Sequence, residues 1–381
     1  MSSRPARPDL PRWLSKRCHA CRRLTVRIKA LEILLKITRL LPLIGGSLMR
    51  KFTIAWLVLL ALSACGKSPG PDEDPSLPGR LQKIRFAVTF QPQSALIHIA
   101  EAKGYFKSEG LDVQYQRFEF GKPALQTVLD GKADLAVAAE TPIMFAVLKG
   151  EKIFIVANIE ASNTNHGIVA RKSPGISTLA DLKGQRIGFS KGTTSDFFLD
   201  SLLNANGLTR QDIRPVDMRP DEMLAAIKEG RVDAVCTWNY PLTQIKQELG
   251  AKGLVFLDPQ VFTETFNLVG QQDFVKKNPQ AIERLLRAVI RAEGFVITEP
   301  LAAQAIVAKA TGHDVKLVRE VWDNFNYRVQ LDDVVLITLE DETRWAIKNL
   351  LTDRTVMPNY RNYIYRDGLK AVAPRAVRLK D

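Results

Sequence analysis

Two segments of the chain repeat one pattern without a gap. Residues 131–142 and 230–241 share a glycine, a basic residue, an aspartate and a proline at equal offsets. In each case a helical pattern precedes the segment, and a short apolar strand follows the shared aspartate. Because the repeat lies within two longer successions of strands and helices, it predicts two similar α/β lobes.

The boundaries of the lobes follow from these successions. The first begins near Leu81, and the second ends before a helical region that starts near Asp273. We expect these last helices to return to the first lobe. Lobe one is therefore predicted to contain residues 81–165 and 268–381, and lobe two residues 166–267.

Two such lobes create a place for a ligand. In open parallel sheets, ligands lie outside the carboxyl ends of the strands, so the corresponding loops should face each other across a cleft. The chain crossings near 163–167 and 263–267 would act as hinges. The candidate ligand-binding residues are Gln91, Gln93, Ser94, Glu140, Thr141, Asn163, His166, Gly192, Thr193, Thr194, Ser195, Trp238 and Asn239.

The loop at residues 192–195 is the most informative of these segments. It follows a short apolar strand, and its hydroxyl residues open a helical pattern that stops at Gly207. Free amides and the positive end of a helix dipole would meet there, which suits a small anion. The alternative is that Ser195 merely caps the helix and Asp196 satisfies the dipole. Lys191 is the one basic residue at the predicted cleft loops, so binding through hydroxyls and amides is favoured over ion pairing.

The net charge of +13 is located mainly at the amino terminus. Residues 1–64 hold 13 basic and two acidic side chains, so +11 of the net charge lies there. The rest of the chain is nearly neutral, which argues against a nucleic-acid partner.

The segment at residues 49–64 has a basic start and an apolar run too short to span a bilayer, and Cys65 follows at once. It resembles a bacterial lipoprotein signal peptide, which implies cleavage before Cys65 and lipidation of its thiol. The alternative is a chance cysteine after an apolar helix. Residues 65–80 are rich in Pro, Gly and acids and are predicted to form a flexible tether. Residues 1–48 are interpreted as a non-native or mis-called leader.

The body of the chain lacks a pattern typical of catalysis. His98, His166 and His313 are scattered, and Cys236 lies in an apolar strand. A nucleophile paired with a base, or a metal-ligand spacing, would be needed for an enzyme. We therefore predict no catalytic residues, no metal and no cofactor, with an enzyme on the same fold as the less favoured alternative.

Six motifs carry a family resemblance across residues 81–375. They are Ala100–Val113, Gly131–Asp134, Leu179–Gly184, Lys191–Ser195, Gly230–Ala234 with Trp238, and Phe274–Pro279. The chain resembles the substrate-binding lipoproteins of ABC importers for aliphatic sulfonates, taurine and nitrate, together with the related binders of thiamine-pyrimidine precursors.

The resemblance implies an α/β two-lobed periplasmic-binding-protein fold of type II, with a mainly parallel sheet in each lobe. It implies capture of a small ligand, delivery to a membrane permease with its ATPase subunit, and a location in the periplasm or on the outer face of the cytoplasmic membrane. In relatives that bind sulfonates, the loop matching residues 192–195 holds the anionic group, and Asp196 departs from what a strong anion needs. A thiamine-precursor pyrimidine or another small heterocycle is the alternative ligand.

Two further residues suggest ligand chemistry. An ionised Glu140 in the cleft would pair with a cationic group. A zwitterion such as taurine would therefore place its amine at Glu140 and its sulfonate at the hydroxyls of residues 193–195. Glu140 turned to solvent or capping a helix is the alternative. Trp238 offers a flat apolar wall, or else packs in the core. His166 and Asn163 could reach the ligand from the hinge.

Overall fold

The computed structural model describes residues 81–173 and 175–380, all within one compact unit. The predicted leader, signal peptide, Cys65 and tether lie outside the described residues. In the described part of the chain, no helix is both long enough and apolar enough to cross a membrane.

Strands and helices alternate through the first two thirds of the described chain. The strands are β1 (Gln82–Thr89), β2 (Leu111–Phe118), β3 (Leu135–Ala139), β4 (Ile153–Ser162), β5 (His166–Arg171), β6 (Arg186–Phe189), β7 (Arg214–Asp217), β8 (Ala234–Trp238), β9 (Gly253–Phe256), β10 (Glu264–Gln271) and β11 (Asn326–Gln330). The α-helices are α1 (Ala95–Ala102), α2 (Tyr105–Ser108), α3 (Gly121–Leu129), α4 (Glu140–Leu148), α5 (Thr194–Ala205), α6 (Met223–Lys228), α7 (Asn239–Leu249), α8 (Gln272–Lys277), α9 (Pro279–Thr298), α10 (Pro300–Thr311), α11 (Val315–Trp322), α12 (Asp333–Lys348) and α13 (Arg366–Val372).

The strands form two sheets with matching order. The first sheet runs β11-β4-β10-β3-β1-β2 and the second runs β7-β6-β8-β5-β9. In each sheet three strands that are consecutive in the chain, β1–β3 or β6–β8, are parallel, and one antiparallel strand, β10 or β5, lies beside β3 or β8. Four of six and four of five strands run the same way, so the predicted two-lobed α/β fold is confirmed.

The repeated segments occupy equivalent places in the two sheets. Each becomes the third strand of its sheet, β3 or β8, followed directly by a helix. All five residues of each strand are buried, which explains why they read as continuous apolar runs.

The shared aspartate of the repeat has the same contact in both lobes. Asp134 accepts hydrogen bonds from the backbone N–H of Arg85, at 2.8 Å, and from its guanidinium. Asp233 accepts from the backbone N–H of Arg186, at 3.0 Å, and from its guanidinium. The aspartate therefore links β3 to β1 in the first lobe and β8 to β6 in the second.

The chain crosses between the sheets twice. It leaves the first sheet after β4 and enters β5 at His166, and it returns between β9 and β10. The expected boundary at 267/268 falls inside β10, which pairs along its length with β3 and β4. The helices α9 and α13 then pack together on the first lobe, with α9 also covering α1.

Candidate functional site

A small cavity of about 20 Å³ lies between the two sheets. It takes residues from both lobes and from β10, the strand that connects them. Its lining consists of Gln91, Phe120, Gly121, Lys122, Ala139, Pro142, Thr193, Thr194, Trp238, Glu264 and Phe266. A water molecule needs roughly 10–15 Å³ by this measure, so the lobes are nearly closed on each other.

Four helices begin at this cavity. The helices α3, α4, α5 and α7 follow β2, β3, β6 and β8 at their carboxyl ends, and residues at each helix start line the space. The first-turn amides of a helix have no intrahelical acceptor, and the helix dipole is positive at that end. The cavity therefore carries a positive potential from the backbone alone, which favours an anionic group.

The hydroxyl residues of the 190–196 loop mostly brace the loop itself. The Thr193 hydroxyl donates to the Ser190 carbonyl at 2.7 Å, and the Ser190 N–H donates to the Ser195 hydroxyl at 3.1 Å. Thr194 differs, because its hydroxyl lies on the cavity, 2.7 Å from His166 Nε2. Burial lowers the pKa of His166 to about 3, so this imidazole is neutral.

The carboxylate of Asp196 is paired within the second lobe. Its carboxylate accepts from the Gly192 N–H at 2.8 Å and pairs with Arg210 at 2.7 Å. Arg210 also pairs with Asp200 at 2.6 Å. Asp196 therefore stabilises the loop through the Gly192 N–H and forms an ion pair with Arg210.

Glu264 brings a buried carboxyl to the cavity. Its side chain is 2% exposed and accepts hydrogen bonds from the amides of Gln93, at 3.3 Å, and Asn165. His166 Nδ1 lies 3.7 Å away, too far for a hydrogen bond. Burial raises the pKa of Glu264 to about 7. The amide oxygen of Gln93 accepts from Asn239 Nδ2 at 3.2 Å, which ties this carboxyl to the second lobe.

Glu140 neither lines the cavity nor faces solvent. It is fully buried and accepts from the N–H and hydroxyl of Thr265, at 2.7 and 2.9 Å. Burial, followed by the neighbouring Glu264, raises its pKa to about 8. The expected direct role for Glu140 therefore gives way to a place behind the site, within a group of buried carboxyls that also contains Glu160 and Glu342.

Three more predicted residues, like Glu140, do not line the cavity. The Ser94 hydroxyl pairs with Thr89 at 2.7 Å in the core. Thr141 donates to the buried Glu342. Asn163 is exposed on the crossing between β4 and β5, and its amide donates to the Pro259 carbonyl. Of the other predicted residues, Gln91, Thr193, Thr194 and Trp238 line the cavity. Gln93, His166 and Ser195 do not line it but bond lining residues, and Gly192 and Asn239 adjoin lining residues in the chain.

Sequence reasoning missed seven lining residues, namely Phe120, Gly121, Lys122, Ala139, Pro142, Glu264 and Phe266. The first three follow β2, and the rule applied to the other strand ends would have selected them. Lys122 reaches across the cleft and donates from Nζ to the Lys191 carbonyl at 2.7 Å. Lys191 itself lines the outer grooves rather than the cavity, so the base beside the ligand space is Lys122.

The described residues contain no group of three His, Cys, Asp or Glu side chains able to hold a metal ion. Cys236 is fully buried, its thiol lies 3.3 Å from the Ser195 carbonyl, and burial raises its pKa. His98 is buried and bonds the Thr89 carbonyl. Neither side chain is placed to act on a molecule in the cavity.

The paired sheets, the double crossing and the cavity between the lobes define the class of periplasmic-binding-protein folds. Within that class, the chain belongs to the NMT1/THI5-like family, whose sequence profile matches residues 91–303.

Known proteins place the chain among binding proteins and thiamine-related proteins. It is 28% identical over 240 residues to the "Putative aliphatic sulfonates-binding protein" of Bacillus subtilis, covering 62% of this chain and 70% of that protein. It is 29% identical over 226 residues to the "Putative thiamine biosynthesis protein" of Haemophilus influenzae, covering 57% and 69%. The crystal structure of the periplasmic aliphatic sulphonate binding protein SsuA from Escherichia coli superposes with a TM-score of 0.64 at 21% identity, covering 75% of this chain and 98% of SsuA.

Proposed function

We propose that the chain is the extracytoplasmic solute-binding component of an ABC importer. It captures a small organic or inorganic anion of the sulfonate, taurine or nitrate type and delivers it to the permease and its ATPase subunit. One observation carries this proposal: four helix amino termini and Lys122 border a cavity between the two lobes. The family membership and the sulfonate-binding relatives support the same class of function.

The contacts between the lobes are consistent with closure around a ligand. Lys122 bonds the Lys191 carbonyl, and Asn239 bonds Gln93, so each lobe contacts the other at the rim of the cavity. Two chain crossings join the lobes, which permits a hinge motion that opens and closes the cleft. A binding protein of this kind returns its ligand unchanged, and we propose that the chain is not an enzyme.

A lipid anchor at Cys65 completes the proposal. The sequence at residues 49–65 supports it, and a thioether-linked diacylglycerol would hold the protein at the outer face of the cytoplasmic membrane or in the periplasm. Metabolic labelling with palmitate tests this point, because Cys65→Ala would abolish incorporation of the label.

A thiamine-precursor pyrimidine is the second candidate ligand, favoured by the aromatic lining. Phe120, Trp238 and Phe266 could sandwich a flat ring, with Glu264 accepting from an amino group. A ring, like the anions named above, requires the lobes to lie further apart than they do here.

A thermal-shift screen tests the proposal. A ligand that binds only the folded state raises the melting temperature by mass action, and small-angle scattering then measures lobe closure. We expect at least one of taurine, ethanesulfonate or nitrate to raise the melting temperature and to be recovered unchanged. A response to aminopyrimidines alone would favour the second candidate, and consumption of the ligand would indicate an enzyme.

A further inference from the structure

Glu264 brings a carboxyl group into the same small space as Lys122 and the amino termini of four helices. The whole space is about 20 Å³, so an anion admitted by a small opening of the lobes lies beside Glu264 as well as beside Lys122. Given the anion-binding function proposed above, we infer that Glu264 takes up a proton when the anion binds and donates a hydrogen bond to it.

An ionised Glu264 would repel an anion in the cavity. Its side chain is 2% exposed, so water screens the repulsion poorly. A second negative charge close to a buried carboxyl disfavours the ionised form of that carboxyl and raises its pKa. A proton on Glu264 removes the repulsion and converts the carboxyl group from an acceptor into a hydrogen-bond donor.

The protein supplies Glu264 with no permanent positive partner among the described residues. Within residues 81–173 and 175–380, no lysine or arginine forms an ion pair with it. His166 Nδ1 lies 3.7 Å away, but burial lowers the pKa of this imidazole to about 3, so it is neutral. The ammonium group of Lys122 donates to the Lys191 carbonyl at 2.7 Å. A proton is therefore the available means of neutralising Glu264.

Three further buried carboxyls oppose a negative charge at this place. Glu140 at the start of α4, Glu160 in β4 and Glu342 in α12 do not line the cavity, and each has at least one oxygen without a hydrogen-bond partner. Burial raises the pKa of each of the three, and the charge of Glu264 raises it further. Burial also raises the pKa of Glu264 itself to about 7, before any anion is present.

The carboxyl group of Glu264 is held in a position from which it can donate. The amide of Gln93 donates to Oε1 at 3.3 Å, and the amide of Asn165 donates to Oε2. Each carboxyl oxygen has two acceptor positions, so one position on each oxygen stays free. A proton bound at a free position is available for a hydrogen bond to a ligand in the cavity.

Direct measurement of proton uptake by the full chain, purified in detergent, tests the inference. Nitrate and ethanesulfonate are anions of strong acids and bring no proton of their own. Adding either sodium salt at matched pH to the weakly buffered protein should therefore raise the pH of the solution. We expect uptake to approach about one proton per bound anion near pH 8 and to fade below about pH 6, where Glu264 is already protonated.

The affinity for the anion should follow the same linkage. Above about pH 7 the binding reaction consumes a proton that becomes scarcer as the pH rises. The dissociation constant should therefore increase with pH, by up to about tenfold per pH unit for one proton. Isothermal titration calorimetry with nitrate and ethanesulfonate at a series of pH values measures this slope.

Two variants assign the proton to a residue. Glu264→Gln should abolish the uptake and make the affinity independent of pH, because an amide donates a hydrogen bond without a proton from solution. Glu342→Gln is the matched control and should retain the uptake, because Glu342 is buried in the same group of carboxyls but does not line the cavity. If Glu264→Gln fails to fold, the uptake by the unmodified protein and its loss below about pH 6 still decide the matter.

The outcomes separate the inference from the proposed function. Binding of nitrate or ethanesulfonate without proton uptake at any pH would overturn the inference and leave the anion-binding function intact. Uptake that persists in Glu264→Gln would place the proton on another group, such as His166 or Glu140, and would also overturn the inference. Absence of binding by nitrate, ethanesulfonate and taurine at millimolar concentration would overturn both.

Discussion

The indole N–H of Trp345 donates a hydrogen bond of 2.8 Å to the carboxylate of Asp200. Trp345 belongs to α12 and Asp200 to α5, so the bond joins the two lobes. The Trp345 ring also meets Phe145 of the first lobe and Phe197 of the second edge-on, with centroids 6.1 and 5.4 Å apart. Helix α12 therefore links the second lobe to the first.

This contact is connected to the candidate ligand loop. Arg210 bonds both Asp200 and Asp196, and Asp196 accepts from the N–H of Gly192 beside the cavity. A movement of the lobes would therefore reach the loop through three consecutive contacts, namely Asp200–Arg210, Arg210–Asp196 and Asp196–Gly192.

Trp345→Phe should weaken ligand binding without unfolding the protein. The aromatic contacts with Phe145 and Phe197 remain, whereas the hydrogen bond to a charged group, worth about 1.5–3 kcal/mol, is lost from the closed state. We expect the radius of gyration without ligand to rise and the dissociation constant for the ligand to increase. Trp345→Ala should have a larger effect on both, and unchanged scattering and affinity in both variants would contradict the role of this contact.

Lys122→Met should lower affinity for anionic ligands by at least about tenfold, because it removes the charge from the cavity while keeping most of the side-chain length. Lys149 lies only in the outer groove and provides the control. If Lys149→Met weakens binding as much as Lys122→Met does, the lysines act by general attraction, and Lys122 has no specific contact with the ligand. Titration calorimetry at two salt concentrations separates the two cases.

Gly192→Ala should impair both stability and binding. Gly192 has φ +69°, and a Cβ there would lie 3.1 Å from Lys122 Nζ. Gly207, at φ +72° with open space around it, is a matched control for backbone strain alone. We expect each alanine to cost roughly 1 kcal/mol of folding free energy, measured by urea unfolding, and only Gly192→Ala to reduce ligand affinity. Equal loss of affinity in both variants would contradict this assignment.

The stability of the ligand-free protein should fall between pH 6.5 and 8. The pKa of Glu140 is about 8 in the folded chain and about 4.5 when unfolded, so the folded state binds more protons in this interval. The contribution of Glu140 to the free energy of unfolding is fully present below pH 4.5 and is lost as the pH rises through 8. Glu264, with a pKa of about 7, acts in the same direction.

Urea unfolding at a series of pH values measures this slope, which one such group can change by at most about 1.4 kcal/mol per pH unit. His98 and His166, with pKa values of about 4 and 3 in the folded chain and about 6.5 when unfolded, act in the opposite direction around pH 6.5, and their effect fades above about pH 7.5. Glu140→Gln should give a shallower slope, whereas Glu229→Gln, on an exposed surface residue, should leave it unchanged. A slope that Glu140→Gln does not alter would show that this carboxyl does not take up a proton on folding.

Several features of the site could be predicted from local sequence. Gln91, Thr193, Thr194 and Trp238 each follow a strand, and the carboxyl ends of parallel strands meet at one edge of each sheet. Lys122 carries the same signal, because it lies shortly after the carboxyl end of β2. Whether a loop side chain turns toward the cavity, as Thr194 does, or into the core, as Ser94 does, depends on packing partners that periodicity does not reveal.

Glu264 carries no comparable signal, because it begins a strand that returns from the other lobe. Its neighbours Gln93, Asn165 and His166 are brought to it only when β10 is inserted between β3 and β4. The burial that raises its pKa is likewise a property of the assembled lobes.

The sequence by itself determined the two α/β lobes, since the repeat and the alternation of strand and helix are local patterns that hydrophobic burial converts into two sheets. The tertiary structure alone decided which charges share the cavity, by bringing Lys122 and Glu264 together from positions far apart in the chain. Local patterns encode which face of an element is buried, whereas the pairing of distant strands sets which polar groups are buried together.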